Sequence, residues 1–132
     1  MTAKLTFLTF DEALALHADQ LSRYGGSRGI RDVRLLESAI AAPRATLGGA
    51  YLHGSVPEMA AAYAFHTIRN RPFVDGNRRT ALGAAIAFLG LNGLWLETAP
   101  GSLADLILRV ADGSASKSEL AEFLREHAIP LD

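Results

Sequence analysis

The 132-residue chain has no cysteine and no useful excess of charge of either sign. The first absence excludes disulfides, thiolate zinc sites and thiol nucleophiles together. The second excludes a general nucleic-acid coat and a polybasic membrane binder, because 13 basic residues face 14 acidic ones for a net charge of -1. Long apolar runs are missing too. None approaches the ~20 residues of a membrane span, and the longest, Ala81 to Leu91, has the length of a buried helix. The N-terminal segment lacks a secretory hydrophobic region and reaches acidic residues by Asp11. These absences lead to the expectation of no membrane and no direct nucleic-acid partner. They do not fix the compartment, but nothing requires an oxidising one, and a cytoplasmic location is expected.

What the chain does contain is alanine and leucine, which supply 43 of its 132 residues. Both are strong helix formers, and β-branched residues are sparse, so the expectation is an all-α fold. Hydrophobic residues at 49% against 20% charged exclude disorder and suffice for one core. No repeat, low-complexity tract or linker divides the chain, which predicts a single domain over residues 1–132.

Ser or Thr followed by an acid three residues later signals helix starts, since the two side chains cap each other's orphan amides. Thr9 with Glu12 opens a helix to about Ser22, stopped by Gly25 and Gly26. Asp32 caps a second, through Leu35, Leu36, Ala39 and Ile40, ended near Pro43. Residues 44–54 read as loop. Ser55 with Glu58 opens a third helix to about Asn70, and a fourth runs from about Asn77 to Asn92. Leu94 to Leu96 reads as a short extended segment, with Trp95 in the core or at a flap edge. Ser102 with Asp105 opens a fifth helix, ended by Gly113, and Ser116 with Glu119 a sixth, ending near His127. That gives about six helices, of which the third and fourth are apolar nearly all round and so central and buried.

The segment joining those two helices carries the chemistry. Pro72 ends the third helix at Arg71, and Gly76 permits a tight turn. The fourth helix then begins with free amides and the positive end of its dipole, a setting that favours an anion. Arg78 and Arg79 sit in that first turn, where cations are unfavourable for the helix itself. Arg69, Arg71, Arg78 and Arg79 against Asp75 alone leave an excess of three positive charges in a neutral chain. Asp75 sits where a magnesium ion bridging to phosphate needs a carboxylate; the alternative is a solvated loop with surface arginines and Asp75 as a simple turn former. Elsewhere, Gly25 to Gly29 lacks the Gly-Lys-Ser/Thr ending of a phosphate loop and reads as loop punctuation. His66 lies in the apolar body of the third helix and reads as structural. His17, His53 and His127 share no metal-ligand spacing.

The segment Asn70 to Leu82 resembles the signature of the Fic/Doc superfamily, His-x-Phe-x-Asp-Gly-Asn-x-Arg, at Phe73, Asp75, Gly76, Asn77 and Arg79. It is most similar to the Doc (death-on-curing) branch of toxin–antitoxin systems. The likeness extends to Ile30–Pro43 and Phe88–Gly93 and covers roughly residues 5 to 127. The resemblance implies a toxin that transfers the γ-phosphate of ATP, with magnesium, to elongation factor Tu and so arrests translation, under control of a cognate antitoxin. It further implies that Gly76, Asn77, Arg78 and Arg79 hold phosphates, that Asp75 orients the hydroxyl or binds the metal, and that Phe73 anchors the motif loop.

Three features of the sequence bear on that implication. The AMP-transferring Fic enzymes carry a second arginine three residues after Arg79, where this chain has Leu82. The internal inhibitory helix of some Fic proteins has no counterpart, since Ser118 and Glu122 have its spacing but Phe123 follows. Arg71 stands where the family has its catalytic histidine. A guanidinium stays protonated and cannot act as a base. His to Arg is a single base change, and a toxin gene selects for its own inactivation. The expectation is a chain inactivated at Arg71, deliberately or by selection, from a protein that naturally carries histidine; the alternative is a natural inactive homologue. Two rivals are an AMP-transferring Fic enzyme, which Leu82 opposes, and a catalytically dead module that only binds antitoxin or nucleotide, which Arg71 favours.

Overall fold

The computed structural model describes residues 4–131, and residues 1–3 and 132 of the expected single domain lie outside the described residues. Six α-helices carry the chain: α1 Phe10–Tyr24, α2 Val33–Ala41, α3 Val56–Asn70, α4 Asn77–Leu91, α5 Ser102–Asp112 and α6 Lys117–His127. Two small antiparallel pairs join them, β1 Thr46–Leu47 with β2 Ala50–Tyr51, and β3 Leu94–Leu96 with β4 Ala128–Pro130. The fold is mostly α, as the composition predicts. No described helix is long and apolar enough to cross a membrane.

The caps explain where most helices begin. Thr9 and Glu12 form a complete capping box at α1, as do Ser116 and Glu119 at α6. At α3 the Ser55 side chain accepts from the Glu58 amide, but the Glu58 carboxylate reaches one residue further back, to the Gly54 amide. The expected cap at α5 is corrected. Gly101 is the N-cap, and Ser102 is already the first helical residue with no side-chain cap bond. α1 continues to Tyr24, past Ser22.

α3 is the central element and packs on α4, α6 and α2. Its alanines Ala60, Ala61, Ala62 and Ala64 are fully buried, so neighbouring helices approach its backbone closely. Tyr63 packs on Phe88 of α4 at 5.0 Å between ring centroids, and its hydroxyl accepts from the Leu8 amide. α4 is less enclosed than its sequence predicts. It buries Ala81, Ala84, Ala85, Phe88 and Leu89 but leaves Ile86 and Leu91 at the surface. Residues 44–54, expected as loop, contain the β1–β2 hairpin. Trp95 is not in the core. It is 53% exposed on β3, which is held by pairing with β4 near the chain's other end.

Candidate active site

The turn between α3 and α4 is built by an unusual helix end. Arg71 closes α3 in the left-handed region at φ 48°, ψ 56°, and no other described residue but glycine has positive φ. Such a conformation costs a non-glycine residue on the order of 1 kcal/mol and persists only where its surroundings enforce it. Pro72 blocks continuation of the helix. Arg31 fixes the exit, donating from Nε to the Arg71 carbonyl and from Nη2 to the Asn70 carbonyl, both at 2.7 Å. Its charge also complements the negative end of α3. Pro72's carbonyl accepts from the Arg31 and Asp32 amides, and the Val74 amide donates to the Gly29 carbonyl. Residues 29–32 therefore clamp the turn along its length.

Phe73 is 1% exposed and packs with Ala13 and Leu36 in a small core of its own. His17 stacks on its ring at 3.8 Å and donates from Nε2 to the Asp75 carbonyl at 2.8 Å. Asn77 closes the turn from inside. Its Oδ1 accepts from the Phe73 amide, and its Nδ2 donates to the Phe73 carbonyl. That engagement ties the Asn77 side chain to the loop, while its backbone amide is left without an acceptor among the described residues.

The entrance itself is anion-ready. Gly76 caps α4 at φ 79° without a side-chain bond, and the amides of Asn77, Arg78 and Arg79 have no hydrogen-bond acceptor among the described residues. Arg71, Asp75, Arg78 and Arg79 line one cleft of about 410 Å³ around these amides. Arg71, Arg78 and Arg79 take part in none of the ion pairs formed among the described residues. Arg79 is held over the Tyr24 ring at 3.8 Å. A second cleft, of about 350 Å³, shares Arg78 and Arg79 and continues over Tyr24, Leu82, Ile107 and Leu108.

Asp75 is exposed at the cleft, and its carboxylate is already oriented. Oδ1 accepts from the Gly76 amide at 2.9 Å and Oδ2 from the Ser27 amide at 3.2 Å. The second contact shows that the Gly25 to Gly29 loop, besides ending α1, backs the Asp75 carboxylate. A Cβ on Gly26 would lie 2.9 Å from Asp75 Oδ2 and from Leu21 Cδ2, and its φ of 122° also favours glycine. As a metal position Asp75 stands alone. The described residues contain no group of three His, Asp or Glu side chains able to enclose a cation. One carboxylate is still an adequate protein share for magnesium, which takes its remaining ligands from phosphate and water.

His66 offers no replacement base. Its Nε2 faces Lys117 Nζ at 3.0 Å, away from the cleft residues, and burial together with the Lys117 charge pushes its pKa down to about 4. The folded chain thus refuses a proton that the unfolded chain takes up below pH 6.5. Stability should fall as pH drops from 6.5 toward 4, and His66→Gln should flatten that decline in thermal melts. An unchanged pH dependence in the variant would remove His66 as its source.

Sequence reasoning missed His17, Arg31, Tyr24 and the Gly26–Ser27 segment. All reach the motif from far along the chain, and no local spacing marks them.

The Fic/DOC family model matches residues 7–89 of this chain. The chain is similar to "Protein kinase doc" of Escherichia phage P1, 37% identical over 115 residues that span 87% of this chain and 90% of that protein. It is also similar to "Toxin Doc" of Mycolicibacterium smegmatis, 36% identical over 106 residues, 76% of this chain and 82% of that protein.

Proposed function

This chain belongs to the Fic/DOC family, and we propose that within it the chain is a Doc-type toxin whose parent activity is phosphoryl transfer from ATP to elongation factor Tu in the cytoplasm. The observation that carries this reading is the entrance of α4, with three unpartnered amides and three arginines without an ion pair around one cleft. The relatives' names, a kinase and a toxin, support the reaction class and a cognate antitoxin as partner.

ATP bound with magnesium would supply the transferable γ-phosphoryl group and a counter-charge for its oxygens. The chain's residues do the rest. The backbone amides of Asn77, Arg78 and Arg79 and the guanidinium groups of Arg78 and Arg79 hold phosphate oxygens by charge-assisted bonds. Asp75, fixed by Gly76 and Ser27, orients the incoming hydroxyl or the metal. Leu82 lines the apolar cleft beside Arg79. It offers no charge to a second phosphate there, which favours the kinase reading over AMP transfer.

Arg71 occupies the place of the base. It cannot accept the hydroxyl proton, but it adds a further cation to the cleft. Nucleotide binding without turnover is therefore the property of this chain as it stands. It is also the observation that favours the second reading, a module that binds nucleotide or antitoxin and catalyses nothing. Calorimetry with ATP and magnesium tests the site. Arg79→Ala should weaken binding by about tenfold or more, the cost of one charge-assisted contact. Equal binding by both proteins would remove Arg79 from the site.

A further inference from the structure

A separate cavity of about 510 Å³ shares no lining residue with the motif cleft. Lys117 is its most unusual member, and the chain has only one other lysine, Lys4. Lys117 Nζ lies 3.0 Å from His66 Nε2 and 5.7 Å from the centre of the Phe65 ring. No carboxylate forms an ion pair with it among the described residues. It is the first residue of α6, where the positive end of the helix disfavours an ammonium.

The charged and titratable groups around it come from each packed element. His66 and Glu58 belong to α3, His53 to the segment before it, and Glu122 and Arg125 to α6. Glu122 and Arg125 pair with each other and leave Lys117 uncompensated. His53 is 9% exposed, and its Nδ1 has no partner. Burial holds the Lys117 amine below the ordinary lysine range. His66, kept neutral, presents an acceptor rather than a competing charge.

We propose that Lys117 is a modification site, a nucleophilic amine that accepts an acyl group from small activated acyl donors of the acyl phosphate class. The neutral amine attacks the carbonyl carbon. The new C–N bond replaces the C–O bond to phosphate, and the phosphate leaves with that electron pair. The surplus nitrogen proton passes to water, while His66 Nε2 accepts the hydrogen bond that orients the amine. The amide product removes a charge from the first turn of α6 and places the acyl group in the adjoining cavity.

Peptide mass mapping after exposure of the folded chain to acetyl phosphate at neutral pH tests the proposal. Lys117 should acetylate about tenfold faster than the exposed Lys4, as a lowered pKa enlarges the neutral fraction. Its rate should also begin to rise at a pH below the ordinary lysine range. His66→Gln should lower the Lys117 rate, because the amine loses the acceptor that orients it, and unfolding in guanidinium chloride should abolish the preference in the unsubstituted chain. A Lys117 rate at or below that of Lys4 overturns the proposal. So does a preference that persists in the unfolded chain, or a Lys117 rate that His66→Gln leaves unchanged.

Discussion

Arg71→His is expected to turn this chain into a growth-arresting protein when it is induced without an antitoxin. The expectation rests on how little else at the site needs to change. Arg31 holds the carbonyls of Asn70 and Arg71, residues 29–32 clamp Pro72 to Val74, and Asn77 closes the loop on Phe73. These contacts use backbone atoms at position 71, so they survive replacement of its side chain. An imidazole placed there regains a base, worth about 10²–10⁴-fold in rate. Arg71→Ala, which removes the charge without supplying a base, should stay harmless. Adding Asp75→Asn to Arg71→His should silence the protein again, because the carboxylate fixed by Gly76 and Ser27 loses its charge. Growth curves of the three strains measure the effect. Arrest by Arg71→Ala would show that steric relief, and not the base, is what position 71 lacks.

Phe73→Ala should cost about 3–5 kcal/mol of folding stability, the range for removing a buried aromatic. The ring is 1% exposed and sandwiched between His17 and the small core of Ala13 and Leu36. That loss is a large share of the roughly 5–15 kcal/mol that holds a domain together. His17 would also lose the surface that orients it toward the Asp75 carbonyl. The effect should therefore reach the nucleotide cleft as well as the core. Urea unfolding reads the first part. A shift under about 1 kcal/mol would place Phe73 among tolerant surface positions, contrary to its burial.

The helices were legible because their signals are local. Thr9 with Glu12 and Ser116 with Glu119 lie three residues apart, and the structure shows both as reciprocal caps. Pro72 and Gly76 likewise announce the break between α3 and α4. Ser102 misled because a Ser with an acid three residues on also suits the first turn of a helix already begun, here by Gly101. For Trp95 the sequence left core and flap edge open, because an apolar triplet does not say which face is covered, and the structure excludes the core. β3 exists only through its pairing with β4, more than thirty residues on. The site was legible at the motif and opaque around it. His17 meets Asp75 across 58 residues and Ser27 meets it across 48, so only the folded chain brings them together. Asn77 fell between the two cases. Its position was evident, but the turn of its side chain inward to Phe73 was not.

The central claim is that this chain holds an otherwise complete γ-phosphoryl-transfer site lacking only its base. The measurement that tests it most directly is label transfer to purified elongation factor Tu by the Arg71→His variant, run in parallel with γ-labelled and α-labelled ATP. The account predicts that the γ label reaches the factor, the α label does not, and the unsubstituted chain transfers neither. Transfer of the α label would contradict the kinase direction. Equal γ transfer by the unsubstituted chain would contradict the role given to position 71.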